Sequence, residues 1–180
     1  MTRMMKPETA VILCSLLLGA CAPTQVFPPE AMEGVDKNFD FSAWRMVPNG
    51  KVGQKIQLGG RIIQAEVKGD GVVFVVAQLP IVEHPAYGPK DSGKRSGEFV
   101  VVHQGKVDAN ALQLGNRLVV VGITQNAKVV TVDDVQRSLP TVVSRCLHIW
   151  NTGGREVADF PSFGGGYQPL EENTFCTKAP

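Results

Sequence analysis

From Val52 onward the apolar residues fall into short β-rich runs, separated by glycine, proline and charged turns. Ile56 to Val67 predicts a strand, and Gly59-Gly60 in its middle marks a bulge or bend. Lys68-Gly69-Asp70-Gly71 predicts a turn, since two of its residues tolerate positive φ. Val72 to Leu79 predicts a second strand, apolar on both faces and stopped by Pro80, so the two runs form a hairpin. Residues 81–97 predict a loop. Phe99 to His103 and Arg117 to Thr124 follow as strands, then Val129 to Val132 as a short partner across a turn at Gln125–Lys128. Val142 to Trp150 is the last predicted strand. Regular alternation would put Ser144, Cys146, His148 and Trp150 on one face and Val143, Arg145, Leu147 and Ile149 on the other. Leu147 and Ile149 favour the inward face, which leaves Trp150 near a rim.

Two segments repeat a template. Gly53-Gln54-Lys55-Ile56-Gln57-Leu58-Gly59-Gly60 and Gly115-Asn116-Arg117-Leu118-Val119-Val120-Val121-Gly122 share G-[QN]-[KR]-[IL]-x-[LV]-x-G. A polar entry, an inward-facing pair and a closing glycine are what a strand needs to bend around a small barrel. The expected fold is therefore all-β: a five- to six-stranded Greek-key barrel of OB type, with a β-sandwich as the competing architecture.

Before Val52 the language differs. Arg3 and Lys6 precede an apolar run of about nine residues, Ala10 to Leu18, far short of the roughly 20 that span a bilayer. Its length is that of a secretory signal's hydrophobic region. Leu18-Gly19-Ala20-Cys21 resembles the lipobox of bacterial lipoproteins. Small residues let a protease reach the bond before Cys21, and the pattern implies a diacylglyceryl group on its sulfur and an acylated amine. Two or more acyl chains make a durable membrane anchor. Ala22, where inner-membrane lipoproteins carry Asp, points to the outer membrane. The expected organisation is a signal at 1–20, lipidated cysteine and tether at 21–49, barrel at 50–150 and irregular tail at 151–180. A loose tether of that length spans on the order of 30 Å, although Phe39, Phe41 and Trp44 predict that residues 39–44 lie on the domain as a short helix or turn.

At 180 residues the chain has room for one domain, and 18 basic against 17 acidic side chains leave a net charge of +1. That balance disfavours a nucleic-acid partner. Of four cysteines, Cys14 leaves with the signal and Cys21 becomes the anchor. Cys146 and Cys176 then predict one disulfide in an oxidising compartment, worth about 3–4 kcal/mol in the chain-entropy model.

Several of these runs resemble the Slp family of outer-membrane lipoproteins, the starvation-inducible lipoprotein group. They are Val52 to Ile63, Gln78-Leu79-Pro80, Gly97-Glu98-Phe99-Val100, Leu114 to Gly122 and Leu147-His148-Ile149-Trp150. The likeness covers the signal and about residues 45–150. Ile81, and a tail with its own cysteine, depart from it. It implies a lipid-anchored OB-like barrel at the outer membrane, linked to stationary-phase or stress responses and with no catalytic residues; the expected location is the periplasmic face rather than the cell surface.

Gly88-Pro89-Lys90-Asp91-Ser92-Gly93-Lys94-Arg95 approaches the phosphate-binding loop, but Arg95 stands where a hydroxyl must hold Mg²⁺ and a strand follows instead of a helix. Lys90, Lys94 and Arg95 remain candidate contacts for an anionic headgroup, and Trp150 a candidate stacking surface. His84, His103 and His148 lack metal-ligand spacing, so no metal or cofactor is expected. The favoured reading is a non-catalytic envelope module that contacts a protein or glycolipid. The alternative is a periplasmic hydrolase, which a pocket with converging His, Ser and carboxylate groups would favour. A shallow face bordered by loops 81–97 and 125–128 would favour the module.

Overall fold

The computed structural model describes residues 26–82, 88–90, 96–152 and 171–177. Five long strands dominate: β1 (Lys55–Lys68), β2 (Gly71–Leu79), β5 (Glu98–Gln104), β6 (Arg117–Val132) and β7 (Val135–Trp150). Two short strands, β3 (Ile81–Val82) and β4 (Gly88–Pro89), pair with each other, and β8 (Glu172–Cys176) lies against β7. The sheet order is β5-β2-β1-β6-β7-β8, and a further parallel pairing joins β5 to β7 through Val100↔Thr141, Val101↔Val142 and Val102↔Val143. That pairing closes the five long strands into a ring. The other contacts in the ring are antiparallel. The all-β expectation therefore holds.

Both faces of the ring's strands are covered, which is why β2 reads as apolar throughout. Val72, Phe74 and Val76 point into the main core with Ile56, Leu118, Leu147 and Ile149. Val73 and Val75 point out, where Val132 and Leu139 cover them together with Val100. The covering residues belong to an arm, residues 126–140, formed by the far ends of β6 and β7. Arg137 Nη1 pins the arm to β5 by donating to Glu98 Oε2 at 2.8 Å. On the opposite outer surface Phe27 and Ala31 cover Val119, Val121, Cys146 and Trp150.

The segment expected as a tether is packed from Val26 on. Helix α1 (Pro29–Met32) belongs to the outer cluster just described. Helix α2 (Phe41–Met46) begins at Asp40, whose Oδ1 accepts from the Ala43 amide at 3.0 Å. It delivers Phe41 and Trp44, with Phe39 beside them, to the main core. Trp44 is fully buried and donates its indole N–H to Pro48 O at 2.8 Å. Burying an indole contributes on the order of 4–6 kcal/mol of transfer free energy. The folded unit thus begins well before residue 50. In the segment expected to be an irregular tail, residues 172–176 form a strand.

The turn expected at Gln125–Lys128 is a bulge. Pro140 has no amide to donate, and β6 places two residues opposite it, one more than the ladder needs, between Gln125↔Thr141 and Lys128↔Leu139. The chain reverses instead at Asp133-Asp134, with φ of 49° and 61°, the conformation a two-residue hairpin needs and Asp tolerates. A second shift, between Val121 and Gly122, inserts Arg145 as an extra residue in β7. Alternation reverses there, so Val142 and Leu147, five residues apart, both reach the main core. Ser144 consequently leaves the face that carries Cys146, His148 and Trp150.

The two template segments pair with each other about a pseudo-two-fold axis. Ile56 lies opposite Gly122, and its template equivalent Leu118 lies opposite Gly60. The Gly53 amide donates to Thr124 O at 2.9 Å, and the equivalent Gly115 amide to Ile62 O at 2.8 Å. A Cβ on Gly60 would stand 2.5 Å from Ala77 O, and one on Gly122 would stand 2.3 Å from Val143 O. Each glycine lets a neighbouring strand come close at a corner of the ring. Gly122→Ala is therefore expected to lower stability by about 1–3 kcal/mol, read as a reduced urea midpoint with an unchanged slope.

Candidate functional site

The β1–β2 turn and the arm converge over the ends of β2 and β5 and leave a cleft of about 580 Å³ between them. Val72, Val73 and Val102 form its apolar part, Lys68 and Asp70 reach it from the turn, and Lys128 reaches it from the bulge of β6. His103 closes one side, 2% exposed, with Nδ1 2.7 Å from Ser144 Oγ. This bond continues the β5–β7 contact one residue past the last paired position. Burial holds the His103 imidazole below its ordinary value of 6.5, so it is neutral near pH 7.

His and Ser do converge, but in a form that suits packing. Ser144 is 4% exposed, and the cleft lining includes His103 without it, so the hydroxyl has no path to a bound substrate. A nucleophile must touch the atom it attacks. Asp70 lies exposed at the turn. Among the described residues, no three His, Cys, Asp or Glu side chains are grouped to hold a metal ion.

Of the expected contact residues, Lys90 and Trp150 are among the described residues, and neither lines the cleft. Lys90 follows β4, half-buried, with its amide donating to Pro80 O at 2.9 Å. Cys21, His84, Lys94 and Arg95 lie outside the described residues. The start of the phosphate-loop-like motif, Gly88–Pro89, is strand-paired with β3, and the chain beyond the motif enters β5. Trp150 is 3% exposed, beneath Phe27 and Ala31 and edge-on to His148 at 4.2 Å, so it packs and offers no stacking surface.

The β7–β8 edge holds a second polar group. Cys146 and Cys176 are bonded at opposed positions, S–S 2.01 Å. His148 Nδ1 lies 2.7 Å from Thr174 Oγ1, and its Nε2 lies 3.4 Å from Glu172 Oε2. Burial lowers the His148 pKa, and the Glu172 carboxylate partly opposes this. Asn116, fully buried, donates to Asn110 O at 2.9 Å and accepts from the Thr152 amide at 2.9 Å, fixing the chain beyond β7.

The family model of the outer membrane lipoprotein Slp family matches residues 18–171. The chain belongs to the Slp family. Comparisons with curated proteins and with solved structures return no match. The match takes in the lipobox residues, the ring strands and every cleft residue of this Slp chain, and it makes the protein an outer membrane lipoprotein. The cleft itself escaped the sequence reading. Its strands, its Lys-Gly-Asp-Gly turn and its histidine were all visible, but Lys128 stood in a supposed turn. Only the Pro140 bulge, by extending the arm, brings Lys128 to the β1–β2 end.

Both histidines bind protons less readily folded than unfolded. The unfolded chain therefore takes up protons first as pH falls through about 6.5, and stability present above that value is lost below it. Urea midpoints of this Slp protein should fall between pH 7.5 and about pH 5, and His103→Gln combined with His148→Gln should flatten that fall.

Proposed function

We propose that the protein is a non-catalytic binding module, held at the outer membrane by lipid on Cys21 and facing the periplasm, with the cleft as its binding place. The position of the cleft carries this reading. Around the ring the strands run β1-β2-β5-β7-β6 and back to β1, the order of an OB-type Greek-key barrel. OB barrels bind across the face of their second and third strands, between the first hairpin turn and the last. Here those strands are β2 and β5, and those turns are Lys68–Gly71 and the arm. The cleft occupies that place. Its partner would be an envelope protein or glycolipid, and the likeness to the starvation-inducible lipoprotein group implies a part in stress responses.

The packed N-terminal segment supports close attachment. Cys21 lies six residues before the buried Phe27, and six extended residues reach roughly 20 Å. A lipid on Cys21 would hold the ring within that distance of the bilayer surface, where a disulfide at Cys146–Cys176 would form in the oxidising periplasm. The hydrolase alternative draws only on His103 and Ser144, which the buried hydroxyl makes a structural pair.

The anchor is tested by replacing residues 1–21 with a general secretory leader. The expected result is a soluble periplasmic protein with an unchanged circular dichroism spectrum, while the natural chain fractionates with outer membranes and its mature N-terminal peptide carries the mass of acyl chains on Cys21. An unmodified Cys21 would overturn the proposal.

A further inference from the structure

We infer that the cleft takes an aliphatic anion, an unbranched alkyl chain ending in a carboxylate or phosphate; this deepens the binding-module reading and rests on it. The space fits, since 580 Å³ lies within the roughly 300–1,000 Å³ usual for small-molecule sites. The apolar part of the cleft is aliphatic: Val72, Val73 and Val102 line it, and no Phe, Tyr or Trp does among the described residues. Bases and sugar rings are held mainly by stacking on aromatics, whereas an alkyl chain needs only apolar area.

The rim selects the sign of the head. Lys68 and Lys128 line the cleft, Asp70 is the one carboxylate in the lining, and His103 is neutral. Lys68 also pairs with Glu66 at 3.0 Å, which leaves Lys128 as the stronger attractor. Its stem extends the apolar surface while its ammonium stays in water, as an amphiphile's head requires. His103 adds a polar atom at the inner side: Nδ1 is engaged by Ser144, and Nε2 lies beside Gly105. A Cβ at Gly105 would sit 3.1 Å from that Nε2, so the glycine keeps the nitrogen uncovered.

The test uses residues 22–180, exported behind a general secretory leader and freed of bound lipid, which retains every described residue and needs no detergent. Dodecanoate and dodecyl phosphate are titrated by calorimetry and by amide NMR, with dodecan-1-ol as the uncharged match. The expected result is saturable binding of at least one anion that shifts the Val102 and Gly105 amides and is about tenfold tighter than the alcohol. Tighter binding of one anion names the head. Lys128→Glu, half-buried beside the bulge and checked for an unchanged circular dichroism spectrum and urea midpoint, should weaken binding about fivefold or more. Binding no tighter than the alcohol, indifference to Lys128→Glu, or shifts confined to other surfaces would each overturn the inference. A periplasmic peptide or glycolipid headgroup that shifts those amides while both anions fail would overturn the ligand class and leave the module standing. If a panel of such probes and both anions leave the cleft amides unmoved, both readings fall.

Discussion

Three residue pairs between β5 and β7 turn a sheet into a ring. Without them β5 and β7 would be free edges of a five-stranded sheet, each with a row of unsatisfied amides and carbonyls. With them the interior closes around Ile56, Phe74, Phe99 and Leu118. A parallel contact of this length is modest in itself, and it sits between two reinforcements. On one side Arg137 ties the arm to Glu98; on the other the His103–Ser144 hydrogen bond carries the contact one step further. Beyond that step β8 takes over the same edge of β7, from Cys146 to Trp150. One long strand therefore serves three neighbours in turn.

Closure also explains the surplus of apolar residues. A small ring has little interior, and strands such as Val72 to Leu79 carry more apolar side chains than it holds. The molecule buries the remainder by wrapping its own ends outside: the arm over β2 and β5, and the N-terminal helix over β6 and β7. The cleft is the gap this wrapping leaves where the arm passes the β1–β2 turn. Lys68 reaches it from the β1–β2 hairpin and Lys128 from the arm, so the cleft needs both in place.

Much of this was legible in the chain. The strand runs, the hairpin turn at Lys68–Gly71 and the all-β class follow from local pattern. So did the template repeat, whose physical meaning, two strands paired about a pseudo-two-fold axis with glycine at each corner, needed the register to appear. What local pattern missed were its interruptions. Pro140 forces a bulge across the ladder, and nothing within Gln125–Lys128 distinguishes a bulge from a turn. The extra residue at Arg145 reverses the faces of β7, and alternation alone cannot register it. Phe27 and Ala31 bury themselves on a surface at least 88 positions away in the sequence, so a reading by neighbourhood made them tether. Of the candidate contacts, Trp150 was recognised as aromatic and near the edge, but the surface covering it lies at the other end of the chain.

The membrane attachment and the ring bear on each other. With the proposed lipid on Cys21, a chain packed from Phe27 onward would leave little slack, and the proposed module would meet its ligand close to the bilayer. An amphiphile fits such a place. All of it depends on β5 meeting β7, and backbone proton contacts by NMR address that directly. Cross-strand amide–Hα contacts of the parallel pattern, between residues 100–102 of β5 and 141–143 of β7, are the predicted result. Their absence, with the β6–β7 contacts intact, would show an open sheet and contradict the account.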